Sequence, residues 1–206
     1  PSAPLFRDPV HDGAADPVII WNHLEKTRWI LYTNRRAQAG GPGVSWVHGT
    51  DIGVASRAPD GRWLYRGILC LPTGPAGARD THWAPELIFH DGLYHMYLTF
   101  VRGIPSDWNH PRSIQHLTSP DLWNWTFRSV LDLPGGRAID ACVHPLPSGG
   151  WRLWYKNEAH DSQTWAADSP DLYHWTSVGP VITDCAHEGP NVFRDGGWYW
   201  MVTDFW

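Results

Sequence analysis

Short runs in which apolar and polar residues alternate recur along this chain, residues 114–118 and 163–167 among them, and that period of two marks a half-buried β-strand. Each of these runs leads into the same pattern, Ser119-Pro-Asp-Leu-Trp-Asn-Trp125 and Ser169-Pro-Asp-Leu-Tyr-His-Trp175, displaced by 50 residues. A further apolar run follows each copy, so SPDLxxW reads as the turn between two outer strands, with a degenerate copy at residues 56–63. A second repeating element is a hairpin. Residues 87–100 turn at Asp91-Gly92, residues 143–157 at Gly149-Gly150, and residues 192–204 at Gly196-Gly197. Residues 18–34 fit the same role, with a longer loop at 23–27.

Hairpin, third strand, Ser-Asp-Leu turn and fourth strand together make a unit of four strands, which is a propeller blade. Units starting near residues 18, 87, 142 and 192 predict an all-β chain. Residues 1–206 then read as a single incomplete β-propeller with three blades and the inner hairpin of a fourth. An unpaired strand edge invites association, so either the natural protein continues past this hairpin or, if it ends at Trp206, the edge after Asp204 is expected to be covered by a second copy or a partner chain. Residues 36–50, rich in Gly and Pro, and residues 102–111 are long insertions of the kind that carry function at a propeller face.

Composition agrees with this reading and narrows the function. Fifteen Trp, 20 Gly and 18 Pro suit short aromatic strands and tight turns rather than long helices. The net charge of -5, with Arg35-Arg36 the only adjacent basic pair, argues against a nucleic-acid partner. No apolar run approaches the roughly 20 residues of a membrane span, and no targeting signal opens the chain. The first residue is Pro, so a leader removed from the N-terminus is conceivable, and secretion is mildly preferred over a cytoplasmic location. Cys70, Cys142 and Cys185 are widely spaced, support neither a disulfide framework nor a zinc ribbon, and read as mostly buried thiols. The 12 histidines show no HExxH spacing, so a catalytic zinc is not expected.

Three acids stand at the starts of inner strands: Asp16 before Pro17-Val-Ile-Ile, Asp140 before Ala-Cys-Val, and Glu188 before Gly-Pro-Asn-Val-Phe. Inner strands converge on the propeller axis, so these acids are expected to share one structural role and to meet there. Clustered carboxylates repel one another and are costly to desolvate, which points to chemistry rather than stability. Glycoside hydrolysis needs such a group, an acid to protonate the leaving oxygen and a carboxylate to activate water or attack the sugar. The competing reading is that of solvated turn acids.

The ordered series Ala15-Asp16-Pro17-Val18, Trp83-Ala84-Pro85-Glu86, Ile139-Asp140 and Glu188-Gly189-Pro190-Asn191, closed by Gly197-Trp-Tyr-Trp, resembles the signatures of glycoside hydrolase family 43 and its five-bladed relatives. That resemblance implies a five-bladed propeller with Asp16 as general base, Asp140 as modulator of the acid's pKa and Glu188 as general acid, in an inverting mechanism. The implied substrate is a plant or algal polysaccharide or oligosaccharide with arabinose- or xylose-type linkages. The related fructan-cleaving families use the first Asp as nucleophile and retain configuration, and both outcomes are compatible with this sequence. A non-catalytic carbohydrate-binding propeller is a further alternative. No cofactor is implied as required. The part of the fold that often supplies an axial histidine beside a metal ion is absent from the sequence, so a structural calcium is not supported.

Candidate substrate-binding residues are His82, Trp83, Glu86, His187, Trp46 and Trp108. Trp46, Trp83 and Trp108 fall in loops or at blade starts, where an indole face can stack on a sugar. His82 and His187 can contact substrate or donate a proton, or be satisfied in turns. Glu86 can bond sugar hydroxyls or tie blades together. The other tryptophans, including Trp123, Trp125, Trp175, Trp198 and Trp200, are expected to pack between blades.

Overall fold

A computed structural model describes residues 4–11, 13–34, 41–75 and 77–205. Among the described residues fourteen strands form three four-stranded antiparallel sheets and one hairpin. The first sheet holds β1 (Ala14–Asn22), β2 (Thr27–Asn34), β3 (Ile52–Arg57) and β4 (Trp63–Ile68) in chain order. The second holds β5 (Thr81–His90), β6 (Leu93–Val101), β7 (Ser113–Ser119) and β8 (Thr126–Val130). The third holds β9 (Ala138–Pro145), β10 (Trp151–Asn157), β11 (Gln163–Ser169) and β12 (Thr176–Ile182), and β13 (His187–Asp195) pairs with β14 (Trp198–Phe205). The first strands touch in succession, β1 with β5, β5 with β9 and β9 with β13, so each sheet is a blade with its first strand innermost. Three and a half blades of a propeller result. Among the described residues no helix is long and apolar enough to cross a membrane.

The predicted turns fall between the predicted strands, and the SPDLxxW repeat has a local cause. Ser119 Oγ accepts the Leu122 amide at 2.8 Å, while Asp121 Oδ1 accepts the amides of Trp123 and Asn124 at 2.8 and 2.7 Å. The second copy repeats this, with Ser169 on Leu172 at 2.9 Å and Asp171 on Tyr173 and His174 at 2.9 and 2.8 Å. These bonds hold Leu122 and Leu172 at φ of 70° and 69°, a conformation uncommon for leucine. Both leucines are fully buried, and the Leu172 carbonyl accepts the Tyr97 hydroxyl of the preceding blade at 2.6 Å. The turn is therefore a plug between blades.

The core lies between the sheets. Trp29, Leu31, Ile52 and Val54 of the first blade meet Tyr94, Met96, Leu98, Leu117 and Leu122 of the second. Tyr97 and Ile114 then meet Val143, Leu153, Tyr155 and Leu172 of the third. Trp123, Trp125 and Trp175 pack into these layers as expected, whereas Trp198 and Trp200 stand exposed on the last hairpin, at 72% and 53%. The thiol expectation is corrected too: Cys142 is buried, Cys185 is half-buried and Cys70 is exposed. Of the insertion at 36–50, positions 36–40 lie outside the described residues, as does Trp206. The remainder, 41–50, includes a short 3-10 turn, Ser45–Val47.

Candidate active site

Every inner strand carries a β-bulge near its start, marked by register shifts at Ala15/Val18, Trp83/Glu86 and Glu188/Asn191, and in β9 opposite Trp154/Lys156. Each bulge contains one residue with positive φ: Asp16 at 47°, Ala84 at 44°, Asp140 at 56° and Gly189 at 59°. Aspartate and glycine tolerate this region better than other residues, and a bulge re-aims a side chain out of the ladder. The inner strands thus begin earlier than the sequence suggested, and the acids sit inside them. Their expected common role is also corrected. Asp16 and Asp140 hold the positive-φ position, but Glu188 stands one residue before it, in the place that Ala15, Trp83 and Ile139 occupy in the other blades.

Despite that offset, Asp16, Asp140 and Glu188 line one cavity of about 1030 Å³, together with Glu86, Trp46, Trp83 and Trp108. Thr33 Oγ1 donates to Asp16 Oδ2 at 3.1 Å, and the Gly189 amide donates to Asp140 Oδ2 at 3.3 Å. Glu188 Oε2 takes the ammonium of Lys156 at 2.9 Å. Burial, then the charges of Asp16 and Glu188, push Asp140 up to about 7, against a smaller lowering by Lys156. Burial likewise raises Asp16, with Glu188 and Asp204 adding to it and the Thr33 hydroxyl opposing it. An acid near neutrality between two other carboxyls is poised to exchange a proton at physiological pH.

One wall of the cavity is aromatic. His48, fully buried, packs against Trp83 and Trp108 with ring centroids 4.9 and 5.8 Å away, and its Nε2 lies 3.1 Å from His110 Nε2. The Trp83 indole donates to the Val47 carbonyl at 2.9 Å, and the Val44 amide donates to the Ser106 carbonyl at 2.9 Å. These bonds tie the two long loops to each other and to β5. Trp46 and Trp108 remain about half exposed, and the Arg112 guanidinium lies over the Trp108 ring at 5.7 Å.

The two histidines lie elsewhere. His82 and His187 hold equivalent positions, each one residue before the Trp83–Glu188 position, and both are buried away from the cavity lining. Each ring Nε2 pairs with a threonine hydroxyl, Thr73 at 2.7 Å and Thr164 at 2.5 Å. His187 thus ties the last hairpin to the third blade, and His82 is tied to the connection between β4 and β5. Glu86 has a tie of its own, accepting the Val143 amide at 2.8 Å, just as Cys142 Sγ accepts the Val192 amide at 3.2 Å one blade on.

Burial pushes the Glu86 carboxyl up to about 7. An acid whose folded pKa exceeds its unfolded value binds a proton on folding, so stability declines as pH rises through the interval from 4.5 to about 7. Glu86→Gln removes this term. The variant is expected to gain on the wild type by about 2 to 3 kcal/mol between pH 5 and pH 8, read by denaturant unfolding at both values. Parallel pH dependence of the two proteins would count against the buried-carboxyl account.

Sequence reasoning missed Arg112, Lys156, Glu158 and Asp204, all on the cavity wall. Arg112, 4% exposed, pairs with Glu158 at 2.7 Å, and Glu158 pairs with Lys156 at 3.1 Å, so charges alternate from Arg112 through Glu158 and Lys156 to Glu188. Lys156 and Asp204 face Ile139 and Glu188 across their hairpins, as Thr33 and Thr99 face Ala15 and Trp83. Aligning the blades on their bulges would have found both. Among the described residues no group of three His, Cys, Asp or Glu side chains is arranged to hold a metal ion.

The architecture has clear counterparts among solved structures. An exo-1,5-α-L-arabinanase from a bovine ruminal metagenomic library superposes with a TM-score of 0.64 at 19% identity, over 96% of this chain and 66% of its own. The family 43 endo-arabinanase from Bacillus licheniformis gives 0.66 at 17%, over 96% of this chain and 68% of its own. The chain has the fold of family 43 glycoside hydrolases. A β-1,3-galactosidase of that family, solved with galactodeoxynojirimycin, gives 0.70 at 15% identity, over 98% of this chain and 72% of its own. The chain spans about two thirds of the length of these structures. No family model matches its sequence. No curated protein matches it either.

Proposed function

We propose that the protein is a glycoside hydrolase acting on neutral polysaccharides or oligosaccharides, with arabinose- or xylose-type linkages as the leading substrates. The observation that carries this reading is the meeting of Asp16, Asp140 and Glu188 in one cavity beside an aromatic wall. In the proposed reaction Asp16 takes a proton from water as it attacks the anomeric carbon, and Glu188 protonates the departing glycosidic oxygen. Asp140, raised to about 7 and bonded to the amide next to Glu188, sets the proton balance of the pair. Trp46, Trp83 and Trp108 offer indole faces on which sugar rings stack.

Charge narrows the substrate class. Six acids line the cavity, Asp16, Glu86, Asp140, Glu158, Glu188 and Asp204, against two bases, Arg112 and Lys156, both already paired with Glu158. Such a surface repels uronates and sulfated sugars. The test is hydrolysis of a panel of arabino-, xylo- and galacto-oligosaccharides and uronate-bearing counterparts, with the anomer of the first product read by proton NMR. Release of inverted product from neutral members alone is expected. A retained product would assign Asp16 the nucleophile's role, and binding without release from any member would leave a carbohydrate-binding propeller.

A further inference from the structure

Lys156 breaks the repeat at the point where the candidate acids meet. It faces Ile139 across the third hairpin, as Thr33 faces Ala15 and Thr99 faces Trp83 in the first two. In those blades the threonine hydroxyl accepts the bulge amide of the next blade, Ala84 at 2.9 Å and Asp140 at 3.1 Å. An ammonium group has no lone pair to offer. The fourth blade's bulge amide, on Gly189, is accordingly taken by Asp140 Oδ2, and the Lys156 ammonium reaches Glu188 Oε2 and Glu158 Oε1 instead. Its side chain is only 5% exposed, and Glu158 is itself anchored by buried Arg112.

We propose that Lys156 is a positioning residue, which clamps the Glu188 carboxyl beside Asp140 in a way that the threonine of the other blades cannot. A buried cation between two carboxylates is held by both, and its removal leaves Glu158 and Glu188 with no charge between them. The stem of lysine, longer than that of threonine, lets a strand residue reach across the blade gap to a side chain rather than to an amide. The kinetic consequence rests on the hydrolase reading; the structural one does not.

The test uses the whole protein with Lys156→Thr, which restores the residue of the other blades, and Lys156→Arg, which keeps the charge. Asp140 is faced by Asp16 from β1, Glu188 from β13 and Lys156 from β10, with Arg112 nearby. Carbon-13 titration of the Asp140 carboxyl, assigned by its loss in Asp140→Asn, is expected to move upward by about one pH unit or more in K156T and to stay within a few tenths in K156R. On the best substrate of the panel, K156T is expected to lose on the order of 10²-fold in kcat with little change in KM, and the alkaline limb of the pH profile should move with the Asp140 midpoint. An Asp140 titration and kcat both unchanged in K156T would overturn the proposal. Absence of hydrolysis by the wild type would defeat the hydrolase reading instead, and a crystal structure of K156T would still decide the clamp: the Glu188 carboxyl is expected to leave its place beside Asp140, and an unmoved carboxyl would overturn the proposal. Should K156T fail to fold, Lys156→Met keeps the apolar stem and yields the same two readings.

Discussion

Glu188→Gln is expected to abolish turnover, by on the order of 10²–10⁴-fold in kcat, while sugar affinity measured by calorimetry stays within a few-fold of wild type. Glutamine keeps the side chain's shape and can still face Lys156, but it has no proton to give the leaving oxygen. Because Glu188 lies one residue before the positive-φ position of its bulge, the change leaves the backbone undisturbed. Asp16→Asn is the matching test on the opposite side of the reaction. Asparagine tolerates the φ of 47° as aspartate does, so a loss of turnover in that variant reports lost proton abstraction rather than backbone strain. Equal loss of affinity and turnover in both variants would instead assign the carboxylates to holding sugar hydroxyls.

The second large effect lies in the scaffold. Gly53 sits opposite Tyr32 in the β2–β3 pairing, and a Cβ placed on it would come within 2.4 Å of ring atoms Cε2 and Cζ and 2.6 Å of the hydroxyl oxygen. The ring cannot swing aside. It is fully buried, it packs on Phe6 at 5.5 Å, and its hydroxyl donates to Asp8 Oδ2 at 2.6 Å. Asp8 in turn caps the amides of Val10 and His11 at 2.7 and 2.9 Å, so one ring pins the segment preceding β1 to the outer face of the first blade. Gly53→Ala is therefore expected to destabilise by about 3 kcal/mol, lowering the melting temperature by roughly 5–12 °C. Tyr32→Phe, which keeps the ring and loses only the bond to Asp8, should lie between the two. A Gly53→Ala protein that melts with the wild type would show that the ring is not confined.

Much of the fold was legible in the sequence because its causes are local. Alternation of apolar and polar residues marks strands, glycine pairs mark hairpins, and the Ser-Asp-Leu pattern marks a turn whose side chains bond their own backbone. The blade count followed from the spacing of these signals. The solved structures of family 43 bear out that architecture.

What local pattern could not supply was register. A bulge shifts alternation by one residue, and whether Glu188 stands at the bulge or before it depends on its pairing with Asp204. The same limit hid Lys156, whose importance comes from equivalence to Thr33 and Thr99 rather than from any motif. Burial depends on neighbouring blades, so it was misjudged for Trp198, Trp200 and Cys70 and left open for His82 and His187. That four-stranded units repeat and that acids recur near their starts is written in the order of the residues, because hydrogen bonding and hydrophobic period act over a few residues. Tertiary structure alone decided which acids share a cavity and which cation stands between them, because those distances are set by how one blade's bulge meets the next.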